Sequence, residues 1–577
     1  MIKRLLIPIA TVSALVCLSA FGESARIEHV TVTHLPVQGA TFHGYRSFQF
    51  DVSNQSKEKT ADVTIALMSY NNSSISKTVR LEPSSHSQVI LYQPDMGNKP
   101  VHNAMINVKG VDTTQMYIGG NMQHGSSHRS SDQICMLFSK NYKTEGFTDA
   151  AAKAIDPSRF GGGGSSGHYS HQKPVTAIRA ETPVDTWIPD WLAYSPYDAV
   201  AISLTEYDGI RQNPMGKALN DYTLAGGTLH IFGASEDTAS VIGFGRRVLH
   251  TAAAPVDLTP NAMKALYGDL KTYARFWCEK ENTVNLHRYF PILADLKLPF
   301  RPFLISMFIF AILMGPVAVF ILAKANRRIW LLWIIPLFSG CTAAFVYIFS
   351  IASEGSESTT LARGMAFLDQ PSKTSVAVNR VAYYSPRRIK ALRYPTHTEV
   401  SFQNQDWSYS GRGNLTWANE QLLTDGWMQS RIPAYFQTRS VAPLRERVKL
   451  IRENDKLYVL NGLSVDLTLF RVNVDGETWQ APFPVLAGQR TELNHVGAIR
   501  RPSPGDTQPG VASMRHIFSF QRDIVPKMDT MKQTMETATM LPTNVYCAVT
   551  ATPYLVHNGL DPEKAIDGYT LLYGLLD

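Results

Sequence analysis

Two uncharged apolar runs lie almost back to back near the middle of the chain, and they limit its architecture more than any other feature. Phe303 to Ala323 and Ile329 to Ala352 are about 21 and about 24 residues long. Each is enough to cross a hydrocarbon core of roughly 30 Å at about 1.5 Å per helical residue. A buried hairpin in a soluble core is the competing reading, but two uncharged runs of this length are rare in such cores. Pro316 and Pro336 fall inside the runs, where membrane helices tolerate them. The turn between the runs carries Lys324, Arg327 and Arg328, and a short basic turn belongs on the cytoplasmic side. Lys297 and Arg301 ahead of the first run are a mild counter-signal, whereas the flank after the second, SEGSESTT, is acidic and hydroxyl-rich. The expectation is a transmembrane hairpin at 303–323 and 329–352 that shows the cytoplasm only a few residues.

The N-terminus points the same way. A basic Met1-Ile2-Lys3-Arg4 precedes an apolar stretch from Leu5 to Phe21, and Ala20-Phe21-Gly22 places small residues where a signal peptidase inspects them. Residues 1–22 therefore read as a signal peptide, with an uncleaved anchor as the alternative. Lipid attachment at Cys17 is disfavoured by Leu15 and Val16 just before it. In either main reading the segment from 23 to the hairpin is exported.

At 577 residues the chain exceeds one ordinary core and has room for three or four domains. The net charge of +7 is spread over 55 basic and 48 acidic residues, with no dense basic stripe of the kind that neutralises nucleic-acid phosphates. Cys17 lies in the leader and Cys341 in an apolar run, which leaves Cys135, Cys278 and Cys547 on exported parts. That is too few for a disulfide framework, so buried thiols are expected, with one bridge left open.

From 23 to 115 the pattern alternates with period two. SFQFDVSN, ADVTIALMSY and QVILYQP, broken by Asn, Ser, Gly and Pro turns, read as a β-sandwich of immunoglobulin-like type without the Cys–Trp–Cys signature. The period then changes. QICMLFSKN, YDAVAIS and GGTLHIFG read as buried strands alternating with the helical TDAAAKAI and NPMGKALNDYTLA, with Gly226 and Gly227 as a helix stop. This is the pattern of a parallel α/β sheet over 130–250. YDAVAIS followed by ALNDYTLAGGTLHIFG resembles the flavodoxin-like, class I glutamine-amidotransferase-like domain found in several families of uncharacterised bacterial membrane proteins. A Gly-Pro inside a transmembrane run before a basic turn resembles the same group. The resemblance covers about Gln133 to His250 plus the hairpin.

Catalysis in that domain needs a cysteine on a sharp strand-to-helix turn and a histidine to activate it. No Gly-x-Cys-x-Gly or Gly-x-Ser-x-Gly is present. Cys135 sits inside a strand, and Ser235 in FGASED is the one elbow-like serine; both are weak nucleophile candidates beside a packed thiol and a solvated turn. His124, His128, His168 and His171 have spacings a metal could use, but they sit in Gly/Ser-rich segments with no carboxylate cluster, so solvated loop histidines are the default and no cofactor is expected. GFGRR at 243–247 lacks the remainder of a phosphate-binding loop.

Residues 255–300 read as a helical connector, with Leu266, Leu270, Tyr273 and Trp277 on one face. Residues 353–577 read as a β-rich exported domain. Within it Trp407, Tyr409, Trp417 and Trp427 could line a sugar or peptide surface, with core packing as the default. The whole is a multidomain membrane protein: β-sandwich, α/β domain, transmembrane hairpin and β-rich domain. The expected role is a non-catalytic envelope scaffold or accessory subunit of a membrane complex such as a transporter, in a bacterial inner membrane with both large parts outside. A periplasmic hydrolase or amidase is the alternative, weakened by the missing elbow. A sensor is the third, weakened by a cytoplasmic turn too small for an output domain.

Overall fold

The computed structural model describes residues 24–35, 43–68, 74–94, 103–111, 113–118, 134–144, 146–155, 174–278, 284, 286–287, 290–292, 300–325, 328–354, 358–403, 413–498, 544–560 and 566–576. The leader at 1–22 lies outside them, as do His124, His128, His168, His171, Arg327, Trp407 and Tyr409. Within helices, the side chains of Tyr273, Trp277, Cys278 and Arg328 lie outside them too.

The first part is two sheets over one core. Strands Ser24–Ile27, Val30–Leu35, Tyr45–Asn54 and His86–Pro94 form an antiparallel sheet. Ala61–Met68, with strict alternation of buried and half-exposed residues, pairs with Ser74–Leu81 and Asn103–Val108 in a second sheet. The alternation is what one wet and one dry face demand. Val32, Phe50 and Val52 from one sheet meet Val63, Ile65 and Ile106 from the other in one core.

The second sheet does not end with the first part of the chain. Beyond Ser74–Leu81 it continues through Asn414–Trp417, Glu420–Thr424 and Ala391–Pro395, all from the far side of the apolar helices. Asn414–Trp417 runs parallel to Ser74–Leu81 in the register Leu415↔Ile75, Thr416↔Ser76, Trp417↔Lys77. The Asn414 carboxamide oxygen accepts from the Ser74 amide at 3.1 Å and from its hydroxyl at 3.0 Å. Indole Nε1 of Trp417 donates to the Tyr92 carbonyl at 3.0 Å. Two segments paired by backbone hydrogen bonds lie in one compartment, so any bilayer crossed by the helices between them is crossed twice.

The middle part is a five-stranded parallel sheet in the order Val175–Arg179, Ile134–Phe138, Ala199–Ser203, Thr228–Phe232, Gly245–His250, closed by antiparallel Thr238–Ile242. Ile134–Phe138 and Thr228–Phe232 are buried at every residue, as expected for strands covered on both faces. Helices Phe147–Ile155 and Pro260–Cys278 cover one face, with Leu266 and Leu270 buried there. Pro214–Leu224 covers the other and ends where Gly226 takes φ +110°, a conformation that a Cβ would penalise.

The last part is built on a nine-stranded sheet with Asp567–Leu575 at its centre, next to Thr359–Asp369 and then Thr374–Tyr384. Alternate residues of the latter two strands face different cores. Met365, Val376 and Val378 enter the large core shared with the earlier parts, while Ala366, Leu368 and Ala377 enter a second core with Val459, Phe470 and Tyr546.

Leu304–Lys324 and Leu332–Phe349 are helices long and apolar enough to cross a membrane, and no part of either span is buried by the rest of the chain. Phe308, Phe320 and Trp333 are 67%, 71% and 76% exposed. Apolar surface this continuous calls for an apolar surrounding. Pro316, which has no amide hydrogen to donate, lies within a π-turn at Leu313–Val317.

Candidate functional site at the carboxyl edge of the parallel sheet

In open parallel sheets, ligand crevices form at the carboxyl ends of strands where neighbouring connections leave on opposite faces. Here that point lies between Ile134–Phe138 and Ala199–Ser203. The chain leaving the first leads to helix Phe147–Ile155 on one face. The chain leaving the second enters Leu204–Ile210 on the other.

Ser203 caps the second helix reciprocally: its hydroxyl accepts from the Glu206 amide at 3.2 Å, and the Glu206 carboxylate accepts from the Ser203 amide at 2.9 Å. Asn141 reaches across and donates to Glu206 Oε1 at 2.8 Å, tying the two sides together. Ser139 Oγ is fully buried beneath them with no hydrogen-bond partner among the described residues. Burial, with Glu206 nearby, pushes the Tyr142 hydroxyl well above its ordinary pKa, so it stays a neutral donor. The set offers hydroxyl, amide and carboxylate groups suited to a small hydrogen-bonding ligand.

On the next two strands of the sheet, His230 Nδ1 and His250 Nε2 share a hydrogen bond at 2.9 Å, one ring donating and the other accepting. His230 is 3% exposed, and its Nε2 has no partner among the described residues. Burial lowers the His230 pKa well below the ordinary histidine value, with His250 and Arg246 adding to the effect. Burial also lowers His250, opposed by Asp237. At the junction of the three parts, burial lowers His397 against the pull of Asp190, and burial with His397 lowers His557.

A histidine whose folded pKa lies below its unfolded value of about 6.5 stabilises the fold above that pH and loses the contribution as pH falls toward the folded pKa. Burial raises Asp190 and Asp221, which work in the opposite sense but over the lower, carboxylate range. The unfolding midpoint is therefore expected to drop by at least about 2 °C from pH 7.5 to 5.5. Thermal melts across that window check this, and a His230→Gln chain should show a smaller drop.

Cys135 is buried at the amino end of its strand; its backbone amide donates to Asp198 Oδ2 at 2.7 Å, and Asp198 Oδ1 also meets His43 Nε2 at 2.8 Å. Ser235 is exposed in the turn after Thr228–Phe232, and its hydroxyl bonds to neither His230 nor His250. Cys135, Cys341 and Cys547 form no disulfide, and burial pushes the Cys547 thiol up to about 12. Gly243 and Phe244 make the turn of a hairpin, and Arg246 beyond it pairs with Asp269 at 3.2 Å. Trp417 and Trp427 are core residues, 4% and 3% exposed. Lys324 is exposed at the end of the first span. Among the described residues no group of three or more His, Cys, Asp and Glu could hold a metal.

Sequence reasoning passed over Asn141, Glu206, His230 and His250. The available signal was polar residues on or just past the strands of the parallel sheet: SKN, SLTE, LHIFG and VLH. No protein-family model matches the chain, and no curated protein matches it in sequence.

Proposed function

We propose that the protein is a non-catalytic scaffold or accessory subunit of an envelope complex in a bacterial inner membrane. It would be anchored by the helix pair, with both large parts on the periplasmic side. The observation that carries this reading is the parallel pairing of Asn414–Trp417 with Ser74–Leu81, which joins the segments before and after the helices into one body. Among the described residues, that leaves the end of the hairpin near Lys324 for the opposite side, and the turn there is too short for an output domain. Its basic character and the leader at 1–22 support placing that turn in the cytoplasm.

The middle part is read as a flavodoxin-like, amidotransferase-like domain. In its support, the parallel strands follow the order second, first, third, fourth, fifth. The first part is read as an immunoglobulin-like sandwich. Fold analogy alone carries no activity. The groups at the carboxyl edge, where Ser203 Oγ donates to the Glu206 carboxylate at 2.8 Å as part of a helix cap, suit binding.

Purification of the full chain in mild detergent tests the reading. A membrane or envelope protein should co-purify in near-stoichiometric amount and be lost when the helix pair is replaced by an unrelated anchor. Recovery of the chain alone, from membranes cross-linked before solubilisation, would overturn it.

A further inference from the structure

We infer that the end of the nine-stranded sheet from which the helices hang is a docking surface for anionic phospholipid headgroups, built from Arg387, Arg388, Lys390 and Arg431. The inference rests on the helix pair spanning a bilayer.

Placement comes first. The second helix ends at Glu354 and strand Thr359–Asp369 begins five residues later, a connection of at most about 18 Å. Thr359 pairs with Tyr384, so the chain after Tyr384 lies at the same end. Ser358 Oγ donates to Ser385 Oγ at 3.2 Å, and the Arg431 amide donates to the Ser385 carbonyl at 2.7 Å, which brings the 429–433 loop there as well. The approach to the first helix arrives at this end too: Leu286, Phe290 and Ile292 pack with Ala382, Tyr384 and Tyr435. His287 Nδ1 meets the Tyr435 hydroxyl at 2.8 Å. Both approaches to the helices therefore converge on one rim, and that rim faces the bilayer.

Chemistry comes second. Arg387, Arg388, Lys390 and Arg431 are all exposed on two adjacent loops. Arg388 pairs with Asp425 at 3.1 Å, an exposed contact that a headgroup phosphate can displace. In sequence, Asp425 lies six positions before Arg431, and Glu354 and Glu357 lie shortly before strand Thr359–Asp369. Ile432, 52% exposed beside the arginines, adds the apolar contact typical of an interfacial surface. These residues lie well beyond the roughly 15–20 positions that set helix orientation, so they do not conflict with the basic turn. Four cations spread along a rim suit a charged plane, and lysines and arginines near an anionic leaflet each add measurable attraction.

The full chain is labelled with an environment-sensitive fluorophore at Ile432→Cys and reconstituted into vesicles of phosphatidylcholine alone or mixed with phosphatidylglycerol. An otherwise native chain treated alike gives the background from its own thiols. A headgroup-attached quencher should quench the label about threefold more in the mixed vesicles, an effect of the size that one or two basic residues supply. Salt near 1 M, where the screening length is about 3 Å, should abolish the difference. The combined Arg387→Glu, Arg388→Glu and Lys390→Glu chain should match the value in phosphatidylcholine. Equal quenching in the two lipids overturns the proposal. Should the triple variant not fold, the salt response of the labelled chain decides alone. A chain that fails to float with vesicles overturns the bilayer-spanning reading itself, a different result.

Discussion

A chain carrying Ser76→Cys and Thr416→Cys together is expected to close a disulfide between the segments before and after the apolar helices. The two positions are register partners on adjacent parallel strands, and their native hydroxyl oxygens lie 3.4 Å apart on the same face. Parallel neighbours at such range need little backbone shift to bring Cβ atoms within the roughly 3.5–4.5 Å a disulfide requires. Cys135 and Cys547 are buried and should not compete. With a protease site placed in the turn between the helices, cleavage should leave two fragments that migrate together without reductant and separate with it. A control pair, Ser76→Cys with Thr424→Cys, should not cross-link, because Thr424 pairs with Asn414 and Ala391. Fragments of the Ser76–Thr416 pair that separate without reductant would show that the strands do not meet. A positive result fixes both large parts on one side by chemistry, independently of the charge argument for which side it is.

Much of the local structure was legible. Alternation in ADVTIALM and continuous apolar runs in ICMLF and TLHIF each follow from how many faces a strand buries, and the structure has strands at all three. The apolar helices were legible for the same reason: length and lack of charge leave few alternatives. What escaped was how the parts join. Asn414–Trp417 is four residues long and its partner lies 340 positions away, so no window of sequence contains the signal. Trp417 and Trp427 were open to two readings, a contact surface or core packing as the default, because aromatic density does not reveal burial; both are in the core, with their indole nitrogens donating to backbone carbonyls. Arg439 and Glu399 sit on strands where a charged residue suggests water, yet both are buried, because the interface covering them comes from elsewhere in the chain.

That buried pair is where the joining of the parts can be weighed. Arg439 and Glu399 are register partners on adjacent strands of the last part and form an ion pair, with Arg439 Nε donating to Glu399 at 2.9 Å. The same guanidinium donates to the Ala225 carbonyl at 3.2 Å and the Ser195 carbonyl at 3.4 Å, both in the middle part, and lies 5.3 Å from the Trp191 ring. The first part reaches the same place: Ser195 Oγ accepts from the Tyr45 amide at 2.8 Å. One side chain thus connects the last part to the middle part at a point the first part also touches. Arg439→Ala leaves Glu399 charged, buried and unpaired, and strips donors from two carbonyls. A loss of about 3–5 kcal/mol is expected for breaking such a pair from one side. Replacing both charges, Arg439→Met with Glu399→Leu, removes the stranded carboxylate and should recover much of that loss. Unfolding of the detergent-solubilised chain, followed by intrinsic tryptophan fluorescence, measures all three proteins. If the parts form one cooperative body, Arg439→Ala lowers a single transition; if they are merely tethered, it leaves the earlier parts unfolding as before. A single variant within about 0.5 kcal/mol of the native chain would mean the guanidinium is solvated, and the interlocked body would lose its central support.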